Sequence, residues 1–249
     1  MRLRSLGRLG VACLGVGALS AGLLYGAESA ATRLETSARV LSEIMATPDK
    51  GIPQELFENA QCVVIVPGMK KGAFVVGANY GRGFMSCRRA SGTGWSAPAA
   101  VKMEGGSFGF QIGGSETDLI MLVMNRRGAE KLLSSKFTLG GDASVAAGPV
   151  GRTSTADTDA KLHAEILSYS RSRGAFAGIS LKGATLRPDE DANAELYGSK
   201  LTNEQIVMGK TKTPAAGSVL VAELNKYSAH PGETKAAKKV DRKVEKKAE

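Results

Sequence analysis

Residues Cys62–Arg89 read CVVIVPGMKKGAFVVGANYGRGFMSCRR, and Val101–Gly114 read VKMEGGSFGFQIGG. Short β-branched and aromatic runs alternate there with glycine-bearing turn signals: Pro67-Gly68, Gly81-Arg82-Gly83 and Gly105-Gly106. That alternation predicts a meander of antiparallel strands. The strands are expected at Cys62–Val66, Gly72–Tyr80 and Phe84–Arg89, then at Trp95–Met103 and Phe108–Ile112. Thr117–Asn125 (TDLIMLVMN) is a continuous apolar run, the mark of a buried strand.

Short helices bracket this stretch. Thr32–Ala46 places Leu34, Ala38, Leu41 and Met45 on one helical face, with Ile44 beside them. Packing under the sheet is the expected fate of that face, and a membrane surface is the alternative. Ile52–Ala60 forms a short helix with Pro53 near its first turn, where a missing N–H costs nothing. Further on, Arg126–Ser135 is helical, and Phe137–Arg152 is loop and short strand. Leu162–Ser170 pairs with Ala175–Leu181, and Ala184–Leu186 is a short strand. Pro188-Asp189-Glu190-Asp191 opens a helix with acids at the positive dipole end, and Gly198 closes it. Asn203–Met208 and Gly217–Tyr227 complete the helices. The class is α+β: a single domain of antiparallel glycine-rich β-meander sheet or barrel packed with several short helices.

A chain of 249 residues, 43% hydrophobic and 23% charged, buries a substantial core. Aromatics at 5% against 31 glycines favour close strand packing over an aromatic-lined cavity. Arg2, Arg4 and Arg8 precede an uncharged run from Leu9 to Ala27, followed by small residues. This is the pattern of an export signal, with cleavage expected between Ala27 and Ala31; an uncleaved membrane anchor is the alternative. The expected division is a signal peptide at 1–31, a folded domain at 32–228 and a basic, disordered Lys/Glu/Ala-rich tail at 229–249. The protein is then exported by a bacterium and periplasmic or envelope-associated. Loss of residues 1–31 removes three arginines and Glu28, which takes the net charge from +9 to +7. Such a balance favours anionic partners, and export disfavours nucleic acid among them.

Catalytic and metal motifs fit poorly. Gly105-Gly106-Ser107-Phe108-Gly109 matches G-x-S-x-G, with Asp157 or Asp159 and His163 downstream, but strand-like sequence follows the serine where the elbow needs a helix. Asp189–Asn193 copies the start of a calcium loop. Ala194 and Lys200 then replace its glycine and its bidentate glutamate, so helix capping explains the run better. Gly148–Ser154 could cradle a phosphate with backbone N–H groups, but a bare turn explains it better. Cys62 and Cys87 are either two buried thiols or a disulfide worth about 3.5 kcal/mol. Neither they nor His163 and His230 have metal-ligand spacing. The expectation is a non-enzymatic protein without metal or cofactor.

Basic residues remain. In the meander, Lys70 and Lys71 occupy the first turn, and Arg88 and Arg89 end the third strand beside that turn. These four are expected to converge on one rim and form the lipid-binding site, with Arg82 in the opposite turn about 30 Å away. Arg171 and Arg173 form a candidate second patch. Four cations against an anionic leaflet contribute about 4 kcal/mol, a weak and reversible attachment.

Three segments resemble the SYLF domain family: LGGDASVAAGPVGR (Leu139–Arg152), SYSRSRGAFAGISLKGATLRPDEDANAELYG (Ser168–Gly198) and IPQELFENAQCVVIVP (Ile52–Pro67). The resemblance covers roughly residues 33–200. It implies binding to phosphoinositide membranes and, as in fungal members, to actin filaments; bacterial members usually carry an export signal, as here. The expected function is docking on anionic membrane lipid through Lys70, Lys71, Arg88 and Arg89. The alternative is a structural envelope or protein-interaction module, actin-binding-like, with the basic tail as contact to an envelope protein.

Overall fold

The computed structural model describes residues 28–47, 51–73, 76–89, 91, 93–108, 113–150, 164–172, 175–178 and 181–228. The expected signal peptide (but for its last residues) and the basic tail lie outside them, as do Asp157, Asp159, His163, Gly151–Ser154 and Arg173. The helices are α1 (Ala30–Met45), α2 (Gln54–Asn59), α3 (Arg126–Leu132), α4 (Glu190–Tyr197), α5 (Asn203–Met208) and α6 (Ser218–Ser228). The strands are β1 (Cys62–Ala73), β2 (Val76–Cys87), β3 (Ala99–Phe108), β4 (Gly113–Val123), β5 (Phe137–Thr138), β6 (Val145–Ala147), β7 (Ile166–Ser172), β8 (Ala175–Gly178) and β9 (Thr185–Pro188). They join one sheet in the order β5-β9-β3-β2-β1-β4-β7-β6, with β8 also on β7. Among the described strand pairs only β6–β7 is parallel. The α+β class and single antiparallel-sheet domain expected from the sequence are what the chain forms.

The central strands are buried on both faces, which is why VVIV and TDLIMLV carry no polar alternation. Val64, Val66, Met69, Met85, Met103, Leu119 and Met121 pack on one side with Phe137, Leu139, Leu186 and Ile206. Val63, Ile65, Phe84, Ile120, Leu122, Leu167 and Tyr169 pack on the other with Leu34, Leu41 and Ile44 of α1, and with Phe57, Trp95, Leu220 and Leu224. The amphipathic face of α1 is therefore core, the first of its two expected fates.

The expected meander is corrected in its centre. Pro67–Lys71 does not reverse the chain and Gly81–Gly83 is no turn: β1 and β2 form one long hairpin joined through residues 74–75. In β1, Val66–Met69 opposes Gly81–Gly83 of β2, and Pro67-Gly68 opposes only Asp118 of β4. That one extra residue is a β-bulge, with Gly68 at φ 56. The bulge puts Val66 and Met69 on the same face and turns Lys70 to the other. Gly81 and Gly83 serve close approach instead of chain reversal. A Cβ on Gly81 would lie 2.5 Å from Val66 Cγ1, and one on Gly83 2.0 Å from the Ile65 carbonyl oxygen. Gly105-Gly106 likewise sits inside β3, paired with Asn79 and Ala78.

Two features lock the sheet to its surroundings. Cys62 and Cys87 are direct cross-strand partners and form a disulfide. At the other side of β2, Asp189 caps α4 by accepting from the Ala192 N–H, the capping role expected for this run, and Gly198 closes that helix at φ 66. Buried Asn193 accepts from the Ala100 N–H at 2.8 Å and donates to Asn203 Oδ1 at 2.7 Å. Asn203 in turn donates to the Ala100 carbonyl at 3.2 Å. Both peptide groups of Ala100 on β3 are thus engaged, and buried polar groups left without such partners would cost stability.

Candidate functional site

The four expected cations do not share a rim. Lys70 pairs with Tyr80 on β2 and Glu116 on β4, and Lys71 with Asn79 and Ser115. Arg88 and Arg89 follow Cys87, which is bonded to Cys62 at the start of β1. Lys70 is eight positions along β1 from Cys62, about 26 Å at about 3.3 Å per residue. The convergence argued from turn geometry fails because the first turn is a bulge, so the lysines continue along the strand. Lys70 is exposed beside Glu116, its cross-strand neighbour.

Other basic residues are built into ion pairs. Arg82 Nε lies 2.5 Å from Asp189 Oδ2, mid-strand in β2 and not in a turn. Burial pushes the Asp189 carboxyl up, but the Arg82 hydrogen bond and charge outweigh it and hold the carboxyl below its ordinary range. Arg171 donates through Nε and Nη2 to Asp118 Oδ2 at 2.7 and 2.5 Å and also contacts Glu43 of α1. Asp118 Oδ1 accepts from the Gly68 N–H at 2.9 Å, so this network ties the bulge to α1 and β7. Ser107 lies within β3 opposite Gly77, with strand on both sides, and the helix of a nucleophile elbow does not begin at it.

Arg88 and Arg89 gather a different site. The Arg88 N–H donates to the Gln61 carbonyl at 2.8 Å, extending the hairpin past the disulfide. Its Nη2 and Nε donate to the carbonyls of Glu58 and Ala60 at 2.7 and 3.3 Å, where α2 ends. A cation there complements the helix dipole. The same guanidinium stacks 4.5 Å from the Trp95 ring centroid. Trp95 is fixed in turn, its Nε1–H donating to Ser228 Oγ at 2.7 Å. Arg89 donates through Nε to the Trp95 carbonyl at 2.8 Å and is otherwise exposed.

Arg88 and Arg89 line a cleft of about 480 Å³ between the ends of α2 and β2, α3 and the last residue of α5. Its floor includes the Cys62–Cys87 disulfide, and its walls include Glu58, Arg126, Ala129, Glu130, Leu133 and Met208. Asn125 caps α3 by accepting from the Gly128 N–H at 2.7 Å and so presents Arg126 at the helix start. Arg126 is 86% exposed and paired with Glu130 at 2.9 Å. Met208 is 57% exposed. Sequence reasoning missed Arg126 and Met208 because no local pattern links them to Arg88; only the topology does. Arg88, Arg89 and Arg126 all line this cleft, and guanidinium groups are suited to pairing with carboxylates. Among the described residues no helix is long and apolar enough to cross a membrane.

Comparison with known proteins gives a consistent family signal. The family described as Las17-binding protein actin regulator (Ysc84) matches residues 104–227, from β3 through α6. An SH3 domain-containing protein of Schizosaccharomyces pombe is 38% identical over 178 residues, covering 70% of this chain and 41% of that protein. Protein YSC84 of Saccharomyces cerevisiae is 34% identical over 177 residues, 70% of this chain and 37% of its own. The human SH3 domain-containing YSC84-like protein 1 is 34% identical over 182 residues, 73% of this chain and 53% of its own. The chain therefore spans about half, or less, of the length of these relatives.

Proposed function

The chain belongs to the Ysc84, or SYLF-domain, family, and on that premise we propose that its folded unit is a non-enzymatic protein-docking module of the actin-regulator type. The observation that carries this reading is the family match across residues 104–227, which includes α3 and Met208 of the cleft. Relatives are named for binding Las17 and for actin regulation, which puts a protein surface ahead of a bilayer as the partner. Docking on anionic lipid is the second reading, supported by the net charge of +9. It lacks a single cationic face built from Lys70, Lys71, Arg88 and Arg89, since the two pairs stand at opposite ends of the β1–β2 hairpin.

The test is co-sedimentation of the full chain with actin filaments and pull-down with purified Las17, beside flotation with neutral and anionic vesicles. Binding to a protein arm, with equal or no binding to the two vesicle types, is the expected result. Binding to anionic vesicles alone, lost at high salt, overturns protein docking in favour of the lipid reading.

A further inference from the structure

We propose that the disulfide-floored cleft is the docking site and that it takes an extended acidic segment of a protein partner, one with an apolar side chain next to its carboxylates. This rests on the protein-docking reading and adds a place and a chemistry to it. Charge is the first ground. Arg89 and Arg126 line the cleft with Glu58 and Glu130, and Arg88, its guanidinium engaged by α2 and Trp95, lines it beside them. Glu58 Oε1 is already engaged, accepting from Gln54 Nε2 at 2.9 Å. Arg89 commits only its Nε, to the Trp95 carbonyl, and its terminal nitrogens have no intramolecular acceptor among the described residues. The Arg126–Glu130 pair is an exposed i,i+4 contact, the kind an incoming carboxylate displaces at little cost.

Positioning is the second ground. Arg88 is held by the end of α2 and by Trp95, so the backbone that carries Arg89 is fixed before any partner arrives. Pre-ordering of this kind lowers the cost of binding. The third ground is the apolar part of the wall: Ala129, Leu133 and exposed Met208, with the disulfide beneath. Thioether side chains adapt to varied apolar partners. A cleft of about 480 Å³ admits side chains of an extended segment and not a folded element.

The probe is a fluorescein-labelled six-residue peptide of alternating Glu and Leu, titrated into the full chain and followed by anisotropy. A Lys/Leu peptide, inorganic phosphate and phosphatidylglycerol vesicles are the comparison arms. Arg89→Glu and Arg126→Glu should each weaken the Glu/Leu peptide roughly tenfold, Met208→Ala should weaken it less, and Lys70→Glu should leave it unchanged. Arg89→Lys, which keeps the charge, should retain most of the binding and guards against a purely structural effect; thermal melts confirm that each variant folds. Equal affinity for the Lys/Leu peptide, full competition by phosphate, or an unchanged Arg89→Glu/Arg126→Glu double variant overturns the inference. Filament or Las17 binding that survives in the double variant overturns the cleft as the site and leaves protein docking standing. Loss of that binding in the unaltered chain removes the docking reading itself.

Discussion

Asp189→Asn tests whether one buried carboxylate ties β2 to the start of α4. Asp189 is 1% exposed and does two jobs: it accepts from Arg82 Nε at 2.5 Å and from the Ala192 N–H at 3.4 Å. Asparagine keeps an oxygen for the cap but removes the charge opposite Arg82. Breaking a buried pair costs about 3–5 kcal/mol. The lower end applies, because the Arg82 side chain retains 28% of its exposure. Nearby Arg33, itself buried, adds repulsion once the carboxylate is gone. The expected loss is therefore about 3 kcal/mol, a fall of roughly 6–12 °C in Tm for a domain of this size. Asp189→Ala removes the cap as well and should cost about 1 kcal/mol more. The pH dependence has a definite sign. The folded pKa of Asp189 is depressed, so its stabilisation is fully present above the ordinary 3.8 and is lost as pH falls through the lower folded value. Urea melts of both chains should show the gap at neutral pH closing in that acid window. A gap below about 1 kcal/mol at pH 7, or one that persists unchanged into acid, would refute the argument.

Three further outcomes follow from the packing. Gly83→Ala drives a methyl to within 2.0 Å of the Ile65 carbonyl oxygen and 2.7 Å of Val66 Cα, backbone that the bulge cannot move, and should cost about 3 kcal/mol by denaturant melt; Gly141→Ala, whose nearest neighbour is Thr138 Cγ2 at 3.4 Å, should stay within about 0.5 kcal/mol. Tyr169→Phe removes a fully buried hydroxyl with no hydrogen-bond partner among the described residues and should raise stability by about 1 kcal/mol, whereas a loss of that size would reveal a partner. Burial also raises the Tyr169 pKa above its ordinary 10.0, so the stability of the unaltered chain is independent of this group below that value and falls as pH rises past it, a loss that alkaline melts of the phenylalanine variant should lack. Replacing Cys62 and Cys87 together by serine should lower stability by about 3.5 kcal/mol, the chain entropy of a loop of sequence separation 25, and reduction of the unaltered chain should give the same shift.

What was legible in the sequence was whatever depends on neighbours within about one helical turn or one strand. The Leu34, Ala38, Leu41, Met45 face with Ile44 beside it, the Asp189 cap with its Gly198 stop, and the apolar run inside β4 are patterns of that range; each forms, with Ile44 buried and Met45 only half-buried. Turn chemistry was half legible. Pro67-Gly68 does contain a glycine in the left-handed region, but the same backbone state serves a hairpin turn and a bulge. Which one forms is decided by the strands on either side. Val66 and Met69 both have apolar places on one face, and a single inserted residue keeps both there while the strand continues.

That one residue explains why the four cations do not converge. A reversal at Pro67–Lys71 would fold Lys70 and Lys71 back beside Arg88 and Arg89; a bulge sends them onward to the far end of the hairpin. The arginines then find another companion, Arg126, brought in by β4 returning antiparallel to β1 so that α3 starts beside the disulfide. Val123 pairs with Cys62, and Cys62 with Cys87, so one cross-strand row fixes both walls of the cleft. Sequence distance between Arg88 and Arg126 carries no trace of this, because their place in one cleft depends on the register of strands that neither belongs to. A cationic site on such a sheet is therefore set by where the bulge falls, and a change that slid β1 by one residue would turn its apolar side chains to the wrong faces before it moved a single surface charge.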